Sequence, residues 1–96
     1  MIVYVDIDLT ISETTGSDYE NSQPIYENIA KINKLYHEGN EIVYWTARGG
    51  KSRINWYSFT KGQLDKWGCK YHQLSFQKPS FDLLIDDKSK RIDEII

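Results

Sequence analysis

The sequence is poor in the residues that staple small proteins or bind soft metals. It has one cysteine, Cys69, and two histidines in 96 residues. A lone thiol excludes an intramolecular disulfide and fits a reducing compartment. His37 and His72 stand without metal-ligand company, so both read as structural. No apolar stretch approaches the length of a membrane span. The opening residues, Met1 to Asp6, carry no basic region and run straight into an apolar strand pattern. They do not read as a signal peptide, and a cytoplasmic location is the expectation. Basic residues are not in excess either. Twelve Lys and Arg against fourteen Asp and Glu give a net charge of −2, which argues against nucleic-acid binding by broad electrostatics. With two prolines, no repeat, no low-complexity tract and no linker, residues 1–96 read as one domain.

Large aromatics are plentiful, three Trp and seven Tyr, so a few bulky side chains must fill much of a small core. Ile2 to Ile7 is a nearly continuous apolar run, broken at Asp6, of the kind found in parallel strands buried on both faces. Thr10 to Gln23 is polar and reads as a long loop or a small hairpin, in effect a flap. Pro24 suits the first turn of a helix. Ile25, Ile29, Ile32 and Tyr36 follow at helical spacing, and Gly39 supplies the stop. Glu41 to Trp45 reads as a second strand. Lys51 to Trp67 reads as a second helix closed by Gly68. Tyr71 to Phe76 and Phe81 to Ile85 complete a set of four strands, followed by a short terminal helix over Ile92, Ile95 and Ile96. Strands alternating with helices predict parallel βαβ units with helices on both faces.

In that reading each strand delivers polar residues to one edge. Asp6 and Asp8 follow the first strand, Thr46, Ala47 and Arg48 the second. Lys78 precedes the fourth, and Asp86 and Asp87 end it. Ligands of open parallel sheets sit beyond the carboxyl ends of the strands. Several carboxylates gathered there need a compensating cation. Hard oxygen ligands without Cys or His favour Mg²⁺, which takes one or two carboxylates, waters and a substrate phosphate. The Thr46 hydroxyl and the Lys78 ammonium suit phosphate oxygens, and a nucleophilic carboxylate fits aspartyl-phosphate chemistry.

The run Asp6-Ile7-Asp8-Leu9-Thr10 resembles the first motif of the haloacid dehalogenase superfamily of phosphotransferases. Thr46, Lys78 and the Asp86-Asp87 pair resemble its second, third and fourth motifs, in order. The resemblance implies a three-layer α/β/α Rossmann-like domain with a short parallel sheet of strand order 3-2-1-4. It implies Asp6 as nucleophile and Asp8 as acid–base. The phosphoryl group would be held by Thr46, the Ala47 backbone N–H and Lys78, and Mg²⁺ by Asp6, the backbone carbonyl of Asp8, Asp86 and Asp87. Asp87 would bind through water or orient Lys78. Leu9 departs from the family, which often has Gly there. Neither 10–23 nor the stretch between Thr46 and Lys78 is long enough for a cap domain. The chain is similar to capless members, and within them to small phosphatases of capsular or surface-polysaccharide biosynthesis.

The expected activity is therefore Mg²⁺-dependent phosphomonoester hydrolysis, acting on a phosphorylated sugar or saccharide precursor. Two alternatives stay open: a nucleotide or nucleic-acid end phosphatase, and a non-catalytic module that holds phosphate and metal. Arg48 either binds substrate at the site mouth or pairs with an acid such as Glu13. Asp86 and Asp87 could instead cap the last helix. An open, capless site points to a large substrate or to closure by a partner subunit. Trp56, Tyr57 and Phe59, if exposed, mark a homo-oligomer surface.

Overall fold

A computed structural model describes residues 1–50 and 53–96. Strand β1 spans Ile2–Asp6, and the chain then turns sharply into a two-residue antiparallel ladder. In that ladder β2 (Ser12–Glu13) pairs with β3 (Gln23–Pro24), so Pro24 faces Ser12 instead of opening a helix. The flap is thus a small hairpin, with a 3-10 turn at Tyr19–Asn21 on its return arm.

Helix α1 starts two residues beyond Pro24 and covers Tyr26–His37. It buries Ile29 and Ile32 and rests Leu35 and Tyr36 against the core, the face that the helical spacing predicts. Gly39 ends it at φ 96°, a left-handed conformation that a side chain would disfavour. The Gly39 and Asn40 N–H groups donate to Tyr36 and Leu35 carbonyls, closing the last turn.

Strand β4 (Glu41–Trp45) is central, with Ile42, Val43 and Tyr44 all buried. It pairs in parallel with β1, Val5 opposite Tyr44, and with β5 (Gln73–Ser75), Leu74 opposite Tyr44. Helix α2 covers Tyr57–Lys66. The helix expected from Lys51 therefore starts later, and Lys51 and Ser52 lie outside the described residues. Tyr57 and Phe59 at its start are exposed, while Trp56 is half-buried against Tyr19 and Phe59.

The three-stranded order, β1-β4-β5, dictates where the core sits. Both crossovers step in the same direction, and right-handed crossovers of that kind put their helices on one face. Val5, Ile7, Ile42 and Tyr44 accordingly share a core cluster with Ile29, Ile32, Leu64 and Trp67. Only residues 76–80 follow β5 before the Phe81 run, too few for a helix to cover the opposite face. That face carries Ile2 and Tyr4, both exposed, so β1 is not buried on both sides as its composition predicts.

The fourth strand, expected over Phe81–Ile85, does not form in this structure. Those residues take no regular structure, and Phe81, Leu83, Leu84 and Ile85 are exposed. Strand-like composition is not enough by itself, because a strand exists only by pairing with a neighbour's edge. The terminal segment forms one 3-10 turn at Ile92–Glu94. Ile92 packs on the core, and its carbonyl accepts a hydrogen bond from Lys31 Nζ at 3.5 Å. Among the described residues no helix is long and apolar enough to cross a membrane.

Burial pushes the Cys69 thiol up to about 11 and the Tyr71 phenol up to about 12. Both groups stay protonated in the folded chain at pH values where their unfolded counterparts ionise. Their contribution to stability is full below the unfolded thiol value and is lost as pH rises through the folded one. Urea midpoints measured across pH should fall between about pH 9 and pH 11. Cys69→Ala should flatten part of that fall.

Candidate active site

Parallel strands deliver their carboxyl ends to one edge, and here that edge holds Asp6, Thr46 and Ser75. The Thr46 N–H donates to the Ser75 carbonyl at 3.0 Å, which carries the β4–β5 ladder one step further. Asp6 ends β1 with its carboxyl about one-third exposed. Its Oδ1 accepts from the Ile7 N–H at 2.9 Å and from Lys78 Nζ at 3.0 Å. Lys78 reaches it across the uncovered face of the sheet. Its ammonium lies 5.9 Å from the Trp45 ring centre and 5.2 Å from that of Phe81, so two aromatic faces help hold the charge. The two side chains that carry the nucleophile and phosphate-binding expectations thus meet directly.

Asp8 follows on a tight turn. The Thr10 and Ile11 N–H groups both return to the Ile7 carbonyl, and the Leu9 N–H reaches the Ser12 carbonyl at 2.8 Å. This geometry forces Leu9 to φ 65° and leaves the residue 75 % exposed. Left-handed backbone costs a non-glycine residue about 1–2 kcal/mol.

Arg48 is not displayed at the site mouth, nor does it pair with Glu13, which is exposed. It is buried and forks onto Asp8, Nε to Oδ2 at 2.9 Å and one terminal nitrogen to Oδ1 at 2.7 Å. The other terminal nitrogen donates to Thr60 Oγ1 at 3.0 Å and Gln63 Oε1 at 2.6 Å, both on α2. The guanidinium stacks 4.7 Å above the Tyr19 ring of the flap, and Gln63 Nε2 donates to the Tyr19 carbonyl at 2.8 Å. Thr14 Oγ1 adds a 2.7 Å hydrogen bond to Asp8 Oδ1 and shares another with Ser22 Oγ. Thr14, Tyr19, Thr60 and Gln63 escape sequence reasoning because none belongs to a motif. A threonine at Thr60, three residues before Gln63 on the helix face that also carries Leu64, is the faint signal available.

Thr46 is almost sealed, and its hydroxyl accepts from the Arg48 backbone N–H at 3.1 Å. Ala47 and the stretch from Lys78 to Asp82 line an open cleft of about 480 Å³. A larger groove of about 560 Å³ runs along α2 and β5 between Tyr57, Lys61, Tyr71 and His72. It touches none of the expected site residues.

Asp86 and Asp87 do not join this group. Asp86 accepts from the Lys88 N–H at 3.0 Å in an exposed turn, and that bond, with Asp87 beside it, holds its carboxyl below the usual carboxylate range. Without the fourth strand, nothing carries the pair to the sheet edge. Among the described residues no three Asp, Glu, His or Cys side chains gather around a common point. Asp6 and Asp8 find their countercharges in Lys78 and Arg48. As folded here, Asp86 and Asp87 are not gathered with Asp6 into a carboxylate cluster.

The left-handed Leu9 yields a direct test. Leu9→Gly should raise the unfolding free energy in urea by about 0.5–1 kcal/mol, whereas Leu9→Ala, which keeps the strain, should leave it nearly unchanged.

No protein-family model matches the chain, and no curated protein matches it. Among solved structures it is similar to the crystal structure of an MCSG target from Vibrio cholerae. The two share 28% sequence identity and a TM-score of 0.84 over 98% of this chain and 85% of that one. The chain shares its small α/β fold with that protein.

Proposed function

We propose that the chain hydrolyses phosphomonoesters through an aspartyl-phosphate formed on Asp6, as its resemblance to the haloacid dehalogenase superfamily implies. The observation that carries this reading is the Asp6–Lys78 pair. It places a partly exposed carboxylate and a cation 3.0 Å apart at the carboxyl edge of a parallel sheet, beside a cleft that Lys78 itself lines.

Phosphoryl transfer asks little covalent work of a protein beyond the nucleophile. Most of the barrier is lowered by holding reactants in line and by opposing the charge that spreads over the phosphoryl oxygens. Lys78 is placed to meet those oxygens as they approach Asp6. Asp8 gives a proton to the leaving oxygen as the P–O bond breaks, then takes one from the water that hydrolyses the acyl phosphate. Ala47 lines the cleft and the buried Thr46 precedes it, in keeping with a supporting role for both.

Magnesium is the cofactor this reading calls for, and when bound it would neutralise charge on the phosphoryl group. The described arrangement does not provide its ligand set, so the requirement goes with a second part of the proposal. Phe81–Ile85 would lie along the free edge of β1, completing the order 3-2-1-4 and bringing Asp86 to Asp6. The exposed apolar side chains of that segment and the unpaired β1 edge support it. A phosphorylated saccharide is the preferred substrate, on family resemblance and the open cleft.

A second reading is favoured by the same ion pairs. With Asp6 on Lys78 and Asp8 on Arg48, the chain could be a phosphate-binding module without turnover. Phosphate release from p-nitrophenyl phosphate separates the two. Hydrolysis should require Mg²⁺ and fall at least about 10³-fold in Asp6→Asn, since removal of a nucleophile abolishes the covalent route. No Mg²⁺-dependent turnover across a broad phosphoester panel would leave the binding module standing.

A further inference from the structure

Arg48 is given no catalytic role by the four motifs, yet its side chain is fully buried in the network beside the site. A guanidinium is expensive to take out of water and is retained in a protein interior when its donors are met. Here the fork onto Asp8 spends two donors, and Thr60 and Gln63 take two more. Asp8 keeps 22% of its side chain exposed. Its orientation is thereby fixed from behind, with no contact between Arg48 and the cleft.

We infer that Arg48 is the positioning residue for the acid–base Asp8, and that the flap and α2 are coupled to proton transfer through it. This rests on the phosphatase reading above. In the first half-reaction the Asp8 carboxyl gives its proton to the leaving oxygen. The bond from phosphorus to that oxygen breaks, its electron pair stays with the oxygen, and Asp6 Oδ bonds to phosphorus. Asp8 is left as a carboxylate whose two oxygens both accept from Arg48, the arrangement seen in the structure. The same fork aims that carboxylate at the water of the second half-reaction. Arg48 never touches phosphate in this scheme. Tyr19, stacked on the guanidinium and tied to Gln63, makes flap position part of the same unit.

Leaving-group dependence tests this, because a proton donor matters for alkyl phosphates and little for p-nitrophenyl phosphate, whose leaving group departs as a stable anion. In the full chain, Arg48→Gln should lower the single-turnover rate of leaving-group release from alkyl phosphates about 10²-fold but from p-nitrophenyl phosphate by less than about 5-fold, because only this first half-reaction depends on the leaving group. Arg48→Lys, which keeps the charge but not the fork, should fall between. Asp8→Asn should show the same substrate split, and Asp8→Asn combined with Arg48→Gln should be no slower than Asp8→Asn alone. Gln63→Met supplies a milder version of the split should Arg48→Gln fail to fold. Equal losses on alkyl and aryl substrates, or losses that multiply in the double variant, would overturn the inference while leaving the hydrolase reading intact. A wild-type chain inactive on every phosphoester would remove both.

Discussion

The bidentate ion pair between Asp8 and Arg48 is the contact around which the site is arranged. It joins the turn after β1 to the turn after β4, two places 40 residues apart in the chain. Through Thr60 and Gln63 it extends to α2, and through Thr14 and Tyr19 to the flap. A buried charge cannot be left half-satisfied without a cost of several kcal/mol, so these four elements must take up their relative positions together. Gly49 follows Arg48 for a related reason. At φ 78° a Cβ there would lie 2.3 Å from the Ile54 carbonyl oxygen, so only glycine lets the chain turn away from the pair without a clash.

A second constraint comes from handedness. Helices α1 and α2 share one core cluster, as right-handed crossovers stepping the same way require, and among the described residues no helix covers the other face. What crosses that bare face is the segment carrying Lys78, which settles over Trp45 and reaches Asp6. The carboxyl edge of the sheet is therefore supplied from two sides by different means. Asp8 is held from the core side by a buried arginine, and Asp6 is met from the open side by a lysine between aromatic rings. Tyr4, set edge-on to Trp45 at 5.2 Å, belongs to the same open surface.

Much of this was legible in the residues. The β-branched runs of β1 and β4, the spacing of Ile29 and Ile32 in α1 and the stop at Gly39 are local signals, and they formed where expected. That Asp6 and Lys78 share the carboxyl edge of the sheet was legible, but their direct pairing was not, since Lys78 arrives on the segment after β5 and not ahead of a fourth strand. What escaped depends on distant pairing. Pro24 looks like a helix opener until Ser12 is found opposite it. Phe81–Ile85 has the composition of a buried strand, but composition does not say whether an edge will receive it. Arg48 read as a surface residue because arginine usually is one. Its partners, Asp8 behind it in sequence and Thr60 and Gln63 ahead, converge only once the helix and the flap are folded.

The central claim is that Asp6 becomes covalently phosphorylated, and trapping that species tests it most directly. Protein mixed with a ³²P-labelled phosphomonoester and Mg²⁺, quenched in acid during turnover and digested, should carry label on the peptide containing Asp6. The label should be released by hydroxylamine, as an acyl phosphate is. Turnover of the ester with no label on that peptide, or with label on another residue, would contradict the account.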